Sequence, residues 1–132
     1  MIMSELPTKA LAATSDYPAP DGSEIRLLVT MSPGGLCHCT LPPDATSRPV
    51  AHRSVEEIWY CIEGQGEVWR RQGVDAQVVC FSPCVSLGIP PQTTFQFRNT
   101  GSDALRFVIV TLPPWQGAEE AVAAEGNWPV SG

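Results

Sequence analysis

The centre of the chain is a largely apolar run whose residues fall alternately on two faces. In residues 57–62, Glu57, Trp59 and Cys61 fall on one side of an extended strand, and the residues between them fall on the other. Period-two alternation in a run rich in aromatic and β-branched residues predicts a β-strand. The run is followed by Gly-Gln-Gly at residues 64–66, where glycine allows a tight turn before a second apolar run begins. The sequence therefore predicts a β-hairpin at the centre of the fold.

Similar short runs occur on both sides of this hairpin, separated by turns rich in proline, glycine and aspartate. We predict further strands in residues 25–31, 36–41, 67–71, 76–81, 85–89, 95–99 and 105–112. Short strands at roughly ten-residue spacing are typical of jelly rolls and barrels. The helix-like stretch of residues 118–124 is too short, and too close to Gly126, to be stable alone. The pattern favours an all-β fold.

The size of the chain suits one domain. With 132 residues, of which 43% are hydrophobic, it can bury a true core. We divide it into an N-terminal arm (residues 1–22), a barrel (residues 23–112) and a C-terminal tail (residues 113–132). Trp115 and Trp128 are expected to hold the tail against the barrel or against a partner chain.

Charge and hydropathy restrict the kinds of binding partner that we expect. Eight basic and fourteen acidic residues give a net charge of −6, which disfavours nucleic acid as a partner. The apolar runs are far too short to span a bilayer, and the start lacks the basic-then-apolar pattern of an export signal. We therefore expect a cytoplasmic protein with no membrane partner. The five cysteines are an odd number and are expected to be reduced thiols.

The stretch around His52 resembles the first sequence motif of the cupin family. That motif reads His-x-His, three or four residues, Glu, six residues and Gly. Glu57 and Gly64 fit it, and His52 takes the place of the second histidine. Val50 occupies the place of the first histidine.

The second cupin motif, Pro-x-Gly-x-x-His-x-x-x-Asn, is echoed from Pro90 to Asn99, which both match. Gln92 replaces its glycine and Phe95 replaces its histidine. The resemblance covers residues 25–111. It implies a single-domain cupin double-stranded β-helix, which is a jelly-roll barrel, with a small molecule bound inside.

Glu57 is the first candidate for chemistry. If it faces a cavity together with Trp59, Phe95 and Phe97, desolvation against the aromatic side chains raises its carboxyl pKa toward neutrality. Such a carboxyl is suited to act as a general acid or base, and His52 is its expected partner. The alternative is a partly solvated carboxylate paired with a neighbouring arginine.

The resemblance also implies a metal alternative. Cupins typically hold iron, nickel, zinc or manganese with three histidines and a glutamate. Of that set His52 and Glu57 remain, and His38 is the other histidine of the chain. If the even-numbered residues of strand 36–41 face the cavity, His38 can complete a three-ligand site. If the odd-numbered residues face inward, cysteines line the cavity and His38 points outward.

We therefore predict a small-molecule enzyme of the cupin type that performs proton transfer: isomerisation, elimination, dehydration or cyclisation. Glu57 is the expected general acid or base, and His52 assists it. The side chains expected to contact the substrate are Trp59, Cys61, Phe95, Phe97 and His38, with Tyr60 or Trp69 as further candidates. No cofactor is favoured.

Two other functions stay open. One is a metal-dependent dioxygenase or isomerase that uses His38, His52 and Glu57. The other is a non-catalytic cupin that binds a small molecule. Because cupins often pair through edge strands and terminal arms, we also expect a homodimer.

Overall fold

The computed structural model describes residues 6–19 and 21–131, and their regular structure is almost entirely β-strand. In chain order the strands are β1 (Tyr17–Pro18), β2 (Glu24–Thr30), β3 (Gly35–Leu41), β4 (Val50–His52), β5 (Glu56–Glu63), β6 (Gly66–Gln72), β7 (Asp75–Phe81), β8 (Ser86–Ile89), β9 (Thr94–Asn99), β10 (Leu105–Leu112) and β11 (Ala121–Ala123). One turn of 3-10 helix, Ala118–Glu120, precedes β11. The expectation of an all-β chain is confirmed.

The strands form two antiparallel sheets. One sheet has the order β1-β2-β3-β10-β5-β8, and the other has the order β11-β4-β9-β6-β7. From β4 onward the chain passes repeatedly from one sheet to the other, so many sheet neighbours, such as β5 and β10, are distant in sequence. This is the arrangement of a double-stranded β-helix, and it confirms the predicted jelly-roll barrel. The predicted hairpin at residues 64–66 is wrong, because β5 and β6 lie in different sheets and the turn between them crosses from one sheet to the other.

The central strand β5 has the predicted alternation of faces. Glu57, Trp59 and Cys61 are buried, whereas the residues on either side of each are exposed. Its neighbour β10 alternates in the same way, so both strands turn one face to the interior. A shift of one residue would exchange the two faces, and burial of one face therefore fixes the register.

Aromatic side chains fill the interior beneath the barrel cavity. The Trp59 ring lies 4.7 Å from the ring of Phe107, 5.2 Å from that of Phe97 and 5.4 Å from that of Phe95. The contacts with the last two are edge-to-face, an arrangement that adds about 0.5–1.5 kcal/mol per pair beyond burial of area. Trp59 is therefore held rigidly, together with the polar group that its indole N–H contacts.

The C-terminal tail packs along the second sheet. Strand β11 pairs with β4, and the buried amide of Gln96 fixes the residues beyond it. The Gln96 Nε2 donates to the carbonyl oxygen of Trp128 at 2.8 Å, and its Oε1 accepts from the Asn127 and Trp128 N–H groups at 2.9 Å each. The guanidinium of Arg98 stacks 4.2 Å from the Trp128 ring. The tail is thus bonded to the barrel at two separate places.

The start of the chain lies along β2. The Leu27 N–H donates to the Asp16 carboxylate at 2.7 Å, and Arg26 Nε donates to the Ala12 carbonyl at 2.9 Å. Residues 1–5 and 20, within the predicted arm, lie outside the described residues. The division into arm, barrel and tail stays a prediction. In the part of the chain described, no helix has the length and apolar character that crossing a membrane requires.

Candidate functional site

A cavity of about 540 Å³ opens between the inner faces of the two sheets. The first sheet supplies side chains from β1, β2, β3, β5 and β10, and the second supplies them from β4 and β9. The start of the C-terminal tail, including Trp115, closes one side. The volume lies within the range of pockets that hold small organic molecules.

Glu57 is placed in this cavity by the alternation of β5. Its side chain is almost fully buried, and its Oε1 accepts a hydrogen bond from the Trp59 indole N–H at 2.8 Å. Burial raises the pKa of the Glu57 carboxyl to about 8, and the Trp59 hydrogen bond only partly opposes that rise. Near pH 7 the group is therefore mostly a neutral carboxylic acid.

His52 lies next to Glu57, at the end of β4. Its Nδ1 is 3.7 Å from Glu57 Oε2, and this buried atom has no hydrogen-bond partner among the described residues. The imidazole ring makes edge-to-face contacts with two aromatic rings. Its centroid lies 5.1 Å from that of the Phe95 ring and 5.0 Å from that of the Trp115 ring. Burial lowers the pKa of His52 to about 4, against a smaller opposing effect of Glu120. Both members of the pair are therefore uncharged near pH 7.

Among the described residues, no arginine forms an ion pair with Glu57. The Arg98 Nη2 lies 2.6 Å from a carboxylate oxygen of Glu67, and Arg53 Nε donates to the Glu119 carbonyl at 2.9 Å. The alternative of a solvated Glu57 carboxylate with an arginine beside it therefore has no support in the geometry.

Three further groups with dissociable protons line the cavity: Tyr17, Asp21 and Cys37. Burial, followed by nearby acidic groups, raises the pKa of the Tyr17 phenol and of the Cys37 thiol to about 12 each. Burial also raises the pKa of Asp21, although hydrogen bonds from Ser23 and the charge of Arg48 oppose it. Near pH 7 the phenol and the thiol remain protonated hydrogen-bond donors, and Cys37 has no thiolate character.

The register of β3 decides the placement of His38. Cys37 is the cross-strand partner of Ile109, which pairs in turn with Trp59, so Cys37 and Trp59 share the inner face. His38 pairs with Val108 and lies on the opposite face. Burial lowers the pKa of His38, with smaller contributions from Arg106 and Arg26. The structure thus keeps His38 apart from Glu57.

The other residues expected to contact a substrate separate into two groups. Phe95 lines the cavity together with Trp59, whereas Cys61 and Phe97 belong to the hydrophobic core. Tyr60 is on the exposed face of β5, 43% exposed. The Trp69 ring lies 5.6 Å from the Arg71 guanidinium and does not line the cavity.

A metal site of the usual cupin type needs more donors than this cavity supplies. Val50 and Phe95, at the places of two motif histidines, are cross-strand partners and both line the cavity. Among residues 6–19 and 21–131, no group of three or more His, Cys, Asp or Glu side chains could hold a metal ion. His52 and Glu57 alone do not fit a site with three protein ligands.

Glu120 bonds the C-terminal tail to the loop after β4, beside the cavity. Its carboxylate accepts hydrogen bonds from the Val55 N–H at 2.7 Å and from the N–H and hydroxyl of Ser54. Burial acts to raise the pKa of Glu120, but these hydrogen bonds outweigh it and the pKa is lowered. Directly after Glu120, β11 pairs with β4, and earlier in the tail Trp115 contacts the His52 ring. The sequence did not indicate this role, because residues 118–124 are helix-like in composition, whereas the structure has one turn of 3-10 helix there followed by β11.

The sequence from residue 37 to residue 111 matches the family described as the cupin domain. A comparison with curated proteins finds no match. Many solved structures share the fold. The capsular polysaccharide assembling protein CapF from Staphylococcus aureus aligns with a TM-score of 0.73 and 14% identity, over 89% of this chain and 35% of its own. This chain thus spans about a third of CapF.

Two other solved structures extend the comparison. An uncharacterized protein with a double-stranded β-helix domain from Klebsiella pneumoniae aligns with a TM-score of 0.64 and 16% identity, over 79% of this chain and 85% of its own. Oxalate decarboxylase from Bacillus subtilis, described with Mn(II) centres, aligns with a TM-score of 0.67 and 15% identity, over 76% of this chain and 28% of its own. Another CapF structure is described with the inhibitor 3-isopropenyl-tropolone. At these identities the likeness shows the fold alone.

Proposed function

The chain belongs to the cupin family, and we propose that it is a small-molecule enzyme that performs proton transfer with Glu57 and His52 in the barrel cavity. The observation that carries the proposal is that this buried pair lies against the cavity and lacks a charged partner among the described residues. Glu57 is a buried carboxyl whose pKa is raised to about 8, and its Oε2 lies 3.7 Å from the unpartnered Nδ1 of His52. Groups with shifted pKa values that face a cavity are typical of acid–base sites.

The two groups have complementary protonation states. Near pH 7, Glu57 holds a proton to donate and His52 has a free electron pair to accept one. Glu57 Oε2 is the donor atom, because Oε1 already accepts the Trp59 hydrogen bond. An acid and a base on one substrate support isomerisation, elimination, dehydration or cyclisation.

The proton balance of such a step closes within the pair. Glu57 protonates an oxygen of the substrate while His52 removes a proton from a neighbouring carbon. The pair then holds a carboxylate and an imidazolium at the separation of 3.7 Å, where their charges attract. Return of the proton from His52 to Glu57 restores the starting state.

The Trp59 hydrogen bond and the aromatic contacts position this pair. Trp59 fixes the Glu57 carboxyl through Oε1, and its ring is fixed in turn by the aromatic core. Phe95 and Trp115 restrict the rotation of the His52 ring and keep water from it. Positioning of this kind reduces the reorganisation that a reaction must complete at the moment of proton transfer.

The experiment compares two neighbouring acids after a library of small molecules has been tested for turnover and for binding. Glu57→Gln keeps the size and the Trp59 hydrogen bond but removes the acid, so kcat should fall by about 10²- to 10⁴-fold. Glu56→Gln is the matched control, because Glu56 is exposed on the other face of β5. Equal activity of the two variants would refute the assignment. Binding without turnover across the library would instead indicate a non-catalytic binding protein.

A further inference from the structure

We infer that the cavity selects an uncharged small molecule that presents a carbonyl or hydroxyl oxygen to the Glu57 carboxylic acid, and that it rejects carboxylates and phosphates. The inference deepens the proposed function, because it assigns a substrate class to the same site. It rests on four features of the cavity: the charges of its lining, its hydrogen-bond donors, its aromatic side chains and the environment of Glu57.

The lining of the cavity offers nothing to neutralise an anion. Asp21 and Glu57 line it, and within the described part of the chain neither lysine nor arginine does. Arginines elsewhere are engaged on the surface: Arg98 with Glu67, and Arg106 with Glu63. Arg48, whose charge acts on Asp21, is not among the lining residues. An anionic ligand would therefore lose its hydration without gaining a cation from the lining, and this opposes its binding.

Most polar groups of the cavity are hydrogen-bond donors near pH 7. The protonated carboxyl of Glu57, the phenol of Tyr17 and the thiol of Cys37 keep their protons there, and Thr111 adds a hydroxyl. The acceptor at the centre is the unpartnered Nδ1 of His52. Ketone, amide and hydroxyl oxygens accept from such donors without bringing a charge into the cavity.

The remaining surface of the cavity is mainly apolar and aromatic. Trp59, Phe95 and Trp115 contribute rings around the Glu57–His52 pair. Such surface favours the carbon skeleton of an organic ligand and disfavours a hydrated ion. The cavity of about 540 Å³ gives room for one ring system with substituents rather than for a chain of sugars.

The pH dependence of affinity distinguishes an uncharged ligand from a cationic one, because the two bind different protonation states of Glu57. An uncharged ligand that accepts the Glu57 proton needs the acid form, so its affinity should fall as the pH passes about 8. A cationic amine needs the carboxylate, so its affinity should rise over the same range. The groups that face or influence Glu57 are Trp59, His52, Asp21, Cys37 and Tyr17. Of these, Asp21 is the one whose titration must be controlled.

The test is a fragment screen with the full chain. Each ring skeleton is supplied as a primary amide, as the isosteric carboxylate and as the corresponding amine, and binding is read from the indole N–H signals of Trp59 and Trp115 by NMR. We expect hits concentrated among the amides, bound at least about tenfold more tightly than the matching carboxylates at pH 6.5. For the best amide, the affinity should fall about tenfold between pH 7 and pH 9, because only about a tenth of Glu57 stays protonated at pH 9.

Two variants show which carboxyl group causes the pH dependence of amide affinity. Glu57→Gln should keep amide binding and lose its dependence on pH, whereas Asp21→Asn should keep both. Hits concentrated among carboxylates or amines, an affinity that rises with pH, or no hits in any set would overturn the inference. The outcome for Glu57→Gln turnover is separate: if amides bind as expected but the variant remains fully active, the proposed catalytic role fails and the substrate class stands.

Discussion

Replacing Glu57 with glutamine should stabilise the folded protein, by an amount that grows with pH. Glu57 has an ordinary pKa of 4.5 and a folded-state pKa raised to about 8 by burial. Between these values the folded chain holds a proton that the unfolded chain releases. The stability that this protonation contributes is therefore fully present below about pH 4.5 and is lost progressively as the pH rises through about 8. Glutamine does not titrate, so the variant lacks this loss.

The magnitude follows from the two pKa values. Each pH unit inside the window changes the free energy of unfolding by about 1.4 kcal/mol. The variant should gain about 1 kcal/mol over the natural chain at pH 5, about 3 kcal/mol at pH 7 and about 4 kcal/mol at pH 8. The Trp59 indole N–H can still donate to the glutamine oxygen, so that hydrogen bond subtracts little. A gain of about 3 kcal/mol corresponds to a rise in Tm of about 10 °C for a domain of this size.

Urea unfolding at half-unit pH steps from 5 to 8.5 measures the difference. Subtracting the free energy of unfolding of the variant from that of the natural chain, at each pH, cancels the contributions that both share. One of these is His52, whose pKa is lowered to about 4 and which therefore reduces stability as the pH falls below about 6.5. Glu56→Gln, at an exposed position, should track the natural chain within about 0.5 kcal/mol. A difference that is independent of pH would mean that Glu57 ionises freely in the folded state and is not the neutral acid that the proposed proton transfer requires.

Three further predictions rest on contacts in the structure and on residues of the cavity, and a fourth, the dimer, rests on the resemblance to cupins. Glu120→Ala removes the acceptor for Ser54 and Val55 N–H groups, so it should cost about 1–3 kcal/mol in urea unfolding. Trp115→Ala removes one ring from His52, so NMR titration should give a higher His52 pKa. The natural chain should hold substoichiometric metal by elemental analysis after dialysis against a mild chelator, whereas a Val50→His, Phe95→His variant should approach one equivalent. Light scattering at micromolar concentration should give a dimer mass, with an interface above about 1,000 Å²; a monomer mass would contradict it.

Local patterns were sufficient to predict β2, β3 and β5 to β10, but not the two- and three-residue strands β1, β4 and β11, nor every surface that the strands form. In β5 the period of two placed Glu57 and Trp59 together on one face, and the match of Glu57 to the cupin motif indicated that this face turns inward, since the outer face is also largely apolar. In β3 the same rule left two possibilities, since Cys37 and His38 are each compatible with burial. Pairing with β10 decides between them, and that register is set by residues about 70 positions away in sequence.

Several cavity residues that the sequence did not indicate come from segments without periodicity. Tyr17 and Asp21 are in a region where two residues pair as a strand and a turn follows, and Trp115 lies in an irregular stretch. Their positions depend on long-range contacts such as those of Glu120 with Ser54. No local rule connects such distant groups, and only the assembled barrel does.

The identity of residue 57 argues for chemistry rather than for structure. A glutamine there would keep the 2.8 Å contact with the Trp59 indole and would not suffer the desolvation that raises the pKa of the carboxyl. By the reasoning above it would also give a more stable protein at neutral pH. The acid therefore carries a stability cost that the fold does not require. The same applies to His52, whose buried Nδ1 has no partner among the described residues although a partner would lower its cost. Two adjacent polar groups, each left incompletely satisfied in a rigid apolar cavity, are accounted for if a ligand completes their hydrogen bonds.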